Sequence, residues 1–284
     1  MELMISSMYK MANGVEIPVV GFGTWQAADG EEARTAVLDA LKAGYRHIDT
    51  AAIYGNEEAV GDAIVESGIA REDIFVTTKV WNDIHTYEGA KAALATSLEK
   101  LGLAYVDLYL IHWPNPISIR HSWEERNREV WRYMEEALEA GLVRSIGVSN
   151  FHERHIDSLL KTAKVVPHAN QIHLSPSEMQ PEVVVANDKH GILTQAYSPL
   201  GTGSILQVPE LVAIADKYGK TTAQVAIRWS LQKGYNPLPK SVTTSRIIGN
   251  IDVFDFSLTE EDVKIIEGLG GTGNVANNPD EQGF

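Results

Sequence analysis

The chain has 284 residues, 44% of them hydrophobic and 22% charged, with a formal net charge of −14 and no cysteine. This acidic balance argues against nucleic acid or an anionic membrane as partner, although a local basic pocket can still take an anionic ligand. The missing cysteines exclude disulfides, thiolate catalysis and zinc–thiolate sites.

Met1 to Lys10 lacks the basic start and apolar run of a signal peptide, and no apolar run reaches the roughly 18 residues that a membrane span needs. A cytoplasmic protein is expected. Tyr9 to Pro18 reads as a β-hairpin turning on Asn13-Gly14, since both positions of a tight primed turn tolerate positive φ. Apolar strands and amphipathic helices then alternate. Val19–Gly23 is a strand, Glu31–Ala43 a helix, His47–Asp49 a strand, and Glu57–Ser67 a helix with Gly68 as its stop. Ile74–Lys79 and Val106–His112 are strands ending in lysine and histidine, separated by a helix over Thr86–Leu101. A long helix over Trp123–Ala140 follows, then strand Ser145–Asn150, helix Glu153–Ala163, strand Ala169–His173, helix Pro181–His190 and strand Leu193–Ser198. Two helices, Glu210–Tyr218 and Thr222–Gln232, precede a proline-rich strand, Asn236–Lys240, whose ladder donors the prolines limit. Helices over Ser245–Ile251 and Thr259–Gly268 end the regular part. Gly270 to Phe284 is rich in Gly, Asn, Asp and Pro and reads as a flexible tail.

Eight strand–helix units without a composition break predict one (β/α)8 barrel domain over 1–284. A doubly wound sheet is the competing architecture, but its dinucleotide fingerprint is missing. Gly21-Phe22-Gly23 continues to Gln26 where a third glycine belongs, and Gly201-Thr202-Gly203 lacks one too. His152 and His155 form an i, i+3 pair at the start of a surface helix, and His168 and His173 have opposite strand parity. Neither pair reads as a metal site.

Chemistry in such a barrel sits at the carboxyl ends of the strands. One geometric rule therefore gathers Asp49, Tyr54 in the following loop, Lys79 and His112 at one mouth. A free phenol, with a pKa near 10, is a reluctant acid at neutral pH. The Lys79 ammonium would lower that pKa, Asp49 would keep Lys79 charged, and His112 would hydrogen-bond the substrate oxygen. Such a group protonates a carbonyl oxygen as it becomes an alkoxide, and a cofactor hydride fits the attack on carbon.

Gly44 to Glu57, Val106 to Pro114, Ile146 to Phe151 and Pro239-Lys240-Ser241-Val242 resemble the aldo-keto reductase family, in order and at family spacing from about Met11 to Gly268. Trp81-Asn82-Asp83, Ala51 to Glu58 and Asp252 to Phe256 are most similar to its bacterial 2,5-diketo-D-gluconic acid reductase branch. The resemblance implies a TIM barrel and an NADPH-dependent reductase of small carbonyl compounds, with a tetrad of Asp49, Tyr54, Lys79 and His112. It implies that Ser149, Asn150 and Gln171 hold the nicotinamide carboxamide and that Tyr197 stacks on the ring. Gly23, Thr24, Asp49, Ser198, Leu200 and Gly201 would lie along the cofactor. Lys240, Ser241 and Arg246 would bind the adenosine 2′-phosphate, Asn250 the adenine, and Val242 would also contact the cofactor. Lysine and arginine suit a phosphate dianion.

Relatives often carry an acid at the position of Gly249, and diketogluconate reductases a further base at that of Thr243. NADPH preference over NADH is therefore expected to be relaxed. Trp25, Trp81 and Trp113, with Tyr54 and His112, match substrate-pocket positions, bordered by Asn115 to His121 and the tail. A monomer is expected. Two other readings stay open at this stage: a cofactor-bound sensor or regulatory subunit with little turnover, and a Schiff-base lyase using Lys79.

Overall fold

The structure is a computed structural model describing residues 3–283, so Phe284, the end of the predicted tail, lies outside it. Two short antiparallel strands come first, β1 (Met8–Lys10) and β2 (Glu16–Pro18). Their connection differs from the expected primed turn. Gly14 N–H donates to Met11 O, Met11 N–H donates to Val15 O, and of the two turn residues only Gly14 has positive φ, 85°. Asn13 Nδ2 instead donates to Arg144 O (3.0 Å) and Ser145 Oγ (3.1 Å), which ties the hairpin to the barrel.

Eight strands then pair in chain order, every neighbour parallel. They are β3 (Phe22–Gly23), β4 (His47–Asp49), β5 (Phe75–Val80), β6 (Leu108–Ile111), β7 (Ile146–Ser149), β8 (Ala169–His173), β9 (Leu193–Tyr197) and β10 (Asn236–Leu238). Gly21 N–H donates to Pro237 O and Gly23 N–H to Pro239 O, each at 3.0 Å, and these bonds close the sheet into a barrel. A Cβ on Gly21 would stand 2.4 Å from His47 Nδ1, so the seam needs glycine there.

The crossing helices are α1 (Glu31–Ala43), α2 (Glu57–Glu66), α3 (Tyr87–Leu101), α4 (Trp123–Glu139), α5 (Glu153–Leu160) and α6 (Pro181–Lys189). After β9 come α7 (Pro209–Tyr218) and α8 (Thr222–Gln232), and after β10 come α9 (Thr244–Ile251) and α10 (Glu260–Glu267). Helix α1 shows the logic: Ala33, Ala36, Val37, Ala40 and Leu41 recur at helical spacing and are all buried, and Gly44 ends it in the left-handed region at φ 106°. The main core lies between strands and helices. A second cluster joins Met11 and Ile17 of the hairpin region to Phe75, Leu108 and Ala169 at the starts of their strands. The hairpin therefore covers the amino end of the barrel and leaves the carboxyl end for the site.

Several element ends shift. Strand β5 runs one residue past Lys79, because Val80 pairs with Ile111. Strand β6 stops at Ile111, so His112 is the first residue beyond it. The tail from Gly271 is irregular but tethered. Gly271 N–H donates to Ser177 O (2.9 Å), Asn274 N–H to Ser204 Oγ (2.9 Å), and Ala276 N–H to Glu178 Oε2 (3.0 Å). The Asp280 carboxylate accepts from Asn115 Nδ2 (2.8 Å) and Arg154 Nε (2.8 Å). No helix of the described residues is long and apolar enough to cross a membrane.

Candidate active site

The carboxyl ends of the strands surround a cleft of about 1020 Å³. Asp49 ends β4, and a short 3-10 turn, Ala52–Tyr54, carries Tyr54 back toward it. Lys79 comes up from β5, fully buried, and its Nζ donates to Asp49 Oδ1 (2.6 Å), Thr50 O (2.9 Å) and Tyr54 Oη (3.4 Å). The other Asp49 oxygen, Oδ2, accepts from Gln171 Nε2 at 2.7 Å. The His112 ring meets the Tyr54 ring edge-on at 5.8 Å and the Trp81 ring at 5.0 Å. All four tetrad residues are thus in one place, although Lys79 itself does not line the cleft.

The electrostatics differ in one respect from the sequence expectation. Burial and the Asp49 carboxylate push the Tyr54 phenol well above its ordinary value of 10, so the lowering expected from Lys79 is outweighed. Burial also pulls the Lys79 ammonium down, opposed by Asp49 and Glu57. Burial, helped by the charges of Lys79 and Arg126, holds His112 well below 6.5. The site therefore presents a protonated phenol beside a neutral imidazole. His112 Nδ1 is buried without a partner among the described residues. An unpaired buried acceptor costs less than an unpaired N–H, so the tautomer protonated on Nε2 is favoured.

Of the predicted cofactor residues, Gly23, Asp49, Ser149, Asn150, Gln171, Tyr197, Ser198 and Leu200 line the cleft, as do Lys240, Ser241, Arg246 and Asn250. Tyr197 is stacked on His173 with 5.5 Å between ring centres, and its hydroxyl donates to Asn150 Oδ1 at 2.9 Å. Asn150 adopts φ 61° and donates through Nδ2 to His112 O (3.0 Å). Ser149 Oγ donates to Gln171 O (2.8 Å). Three predicted residues do not line the cleft. Thr24 is buried and donates to Asp49 O (3.0 Å), which ties it to the end of β4. Gly201 is buried in the loop after β9, and Val242 is exposed on the rim.

At the far end, Lys240 Nζ donates across the cleft to Gln26 O (3.2 Å). Ser241 Oγ accepts the Thr243 N–H (3.0 Å) just before α9, which carries the exposed Arg246 at the same end of the cleft. Trp25, Trp81 and Trp113 all line the cleft, Trp25 half exposed at its mouth. Residues not anticipated include Gln26, Ile53 and Thr221, while Asn277 belongs to the tail expected to border the pocket. Gln26 left no chemical signal in the sequence, since its positive φ of 61° shows only in the fold.

A second departure concerns His155. Expected at the surface, it is buried, its Nδ1 accepts the His152 N–H (3.0 Å) and its Nε2 lies 2.9 Å from Asp280 Oδ1. It works as a helix cap and a tail anchor.

The chain is similar to known proteins over most of its length. The description "Aldo/keto reductase family" matches residues 19–270. Glyoxal reductase of Bacillus subtilis is 46% identical over 272 residues, 96% of either chain. A crystal structure of an aldo/keto reductase from Brucella melitensis is similar with a TM-score of 0.89 and 48% identity, covering 94% of this chain and 99% of that one. The Bombyx mori aldo-keto reductase, solved in complex with NADP, has a TM-score of 0.85 and 39% identity, covering 96% of this chain and 95% of that one.

Proposed function

The chain belongs to the aldo/keto reductase family, and from that premise we propose that it is an NADPH-dependent reductase of small aldehydes and ketones with Tyr54 as proton donor. The observation that carries the reading is the Asp49–Lys79–Tyr54 chain of contacts beside neutral His112 at the floor of the cleft. In this reading His112 Nε2–H and the Tyr54 hydroxyl both donate to the carbonyl oxygen and orient it. When bound, NADPH supplies a hydride to the carbonyl carbon. As negative charge builds on the oxygen, Tyr54 transfers its proton there and is left as a phenolate. An alkoxide is a far stronger base than a phenolate, so a phenol with a raised pKa still gives up its proton at that moment. Lys79, kept charged by Asp49, then stabilises the phenolate.

The residues present fit the cofactor. Neutral amide and hydroxyl groups of Ser149, Asn150 and Gln171 stand near the tetrad for the carboxamide, with the face of Tyr197 beside them. Lys240, Ser241, Arg246 and the start of α9 form a cationic, donor-rich end for a 2′-phosphate. Thr243 and Gly249 add neither a cation nor a carboxylate there, so NADH is expected as a weaker alternative.

The likeness to glyoxal reductase and the aromatic mouth favour compact aldehydes and 2-ketoaldehydes, with keto-sugars such as 2,5-diketo-D-gluconate as a second class. A panel of such carbonyls, each tried with NADPH and NADH, tests the reading. Carbonyl-dependent oxidation of NADPH is expected. Tight NADPH binding without turnover on any member would favour a sensor instead.

A further inference from the structure

We infer that Arg126, on the outer helix α4, is a positioning residue that fixes the separation of the two tryptophan walls of the cleft and thereby the discrimination between bulky and compact carbonyl substrates. The inference rests on the carbonyl-reductase reading of the cleft. Arg126 is 2% exposed, and no carboxylate makes an ion pair with it among the described residues. A guanidinium buried without a carboxylate is costly unless its donors are met. Burial brings its pKa down only to about 10, so it stays charged at neutral pH.

Its donors are spent on backbone carbonyls of the two loops that carry the walls. Nη2 donates to Trp81 O (3.1 Å) and Nε to Ile84 O (2.9 Å), both in the loop after β5. Nη1 donates to Trp113 O (3.0 Å) in the loop after β6 and to Asn127 Oδ1 (3.0 Å). Asn127 extends the clamp, since its Nδ2 donates to Pro114 O (2.9 Å). One rigid planar fork thus ties the two loops together, in addition to the pairing of strands β5 and β6 and the contact of Trp81 with His112. A lysine ammonium is a single point of donation and cannot span them. The consequence reaches the chemistry in one step. Trp81 and Trp113 line the cleft, and the Trp81 indole abuts His112, which in turn abuts Tyr54. A small change of wall spacing alters the fit of an aromatic substrate while a two-carbon substrate, held mainly by Tyr54 and His112, hardly feels it.

The test compares the full-length wild type, Arg126→Lys and Asn127→Ala, with NADPH and two substrates, 4-nitrobenzaldehyde and glyoxal. For Arg126→Lys we expect KM for 4-nitrobenzaldehyde to rise about tenfold, glyoxal KM to change less than about twofold, and NADPH affinity to stay unchanged. Asn127→Ala, which frees only the Pro114 carbonyl, shifts the same ratio in the same direction by a smaller factor. Equal change for both substrates, or no change in a folded variant, overturns the inference, and so does failure of both variants to fold, which would assign the cluster to stability alone. Quenching of tryptophan fluorescence by 4-nitrobenzaldehyde needs no turnover and keeps the two readings apart. Absence of NADPH consumption by the wild type sinks the reductase reading, whereas equal quenching constants in wild type and Arg126→Lys sink the role of Arg126.

Discussion

Lys79 has no free surface, yet its ammonium meets a carboxylate, a carbonyl and a phenol. The residue types of this site were legible in the sequence because each follows or nears the end of an apolar strand, and barrel geometry sends all strand ends to one mouth. The direction of the Tyr54 shift was not legible. It depends on how deeply the phenol is packed and on its exposure to the Asp49 carboxylate, which only the fold supplies. Thr24 shows the same limit, since its matched position gives no sign of the bond that its hydroxyl donates to Asp49 O. At the other end of the cleft the charge of Arg246 carries a separable expectation. Arg246→Ala should weaken NADPH binding by about tenfold or more while leaving NADH nearly unchanged, because only the 2′-phosphate loses a charged donor. Fluorescence titration with both cofactors measures it, and equal weakening would remove the phosphate role.

At the scale of elements, the alternation of strands and helices was readable from periodicity, whereas their ends were not. Strand ends are set by partners in the ladder, as Val80 with Ile111 shows. The proline-rich β10 looked doubtful because prolines lack N–H donors. In the barrel its closing edge uses only the carbonyls of Pro237 and Pro239, so the prolines cost it nothing there. Arg126 was invisible for a related reason: its partners are carbonyls 13, 42 and 45 residues away, and carbonyls have no sequence signature. Helix packing gives this scale its own test. Helix α2 passes the end of α3 so closely that a Cβ on Gly61 would sit 2.2 Å from Leu101 O. Backbone cannot yield as a flexible side chain does, so Gly61→Ala should destabilise by about 1–3 kcal/mol and lower Tm by several degrees, with kcat little changed. An unchanged Tm would mean that the two helices are not held at this distance.

Over the whole molecule, one chain of polar contacts threads the barrel. Lys79 binds Asp49, Asp49 binds Gln171, Gln171 Nε2 approaches Gln195 Oε1 (3.4 Å), Gln195 Nε2 donates to Asn236 Oδ1 (2.8 Å), and Asn236 Nδ2 donates to Pro18 O (2.8 Å) in the hairpin. The hairpin therefore closes the barrel floor and also completes the interior network beneath the site. The fold buries neutral histidines as well. Burial holds His47 at about 3 and His155 and His168 at about 4, against about 6.5 in an unfolded chain. Between pH 6.5 and 4 the unfolded chain binds more protons than the folded one, so stability is full above that window and falls as pH drops through it. Each such histidine contributes up to about 1.4 kcal/mol per pH unit. Denaturant titrations at pH 7 and pH 5 should show a clear loss at pH 5, and equal stabilities would contradict the buried neutral forms. The central claim, that this barrel reduces carbonyls by a proton from Tyr54, is tested most directly by stopped-flow NADPH consumption in wild type and Tyr54→Phe, with glyoxal as substrate. The expected result is a rate lowered by about two to four orders of magnitude in the variant, with NADPH affinity retained. A near-normal rate in Tyr54→Phe would contradict it.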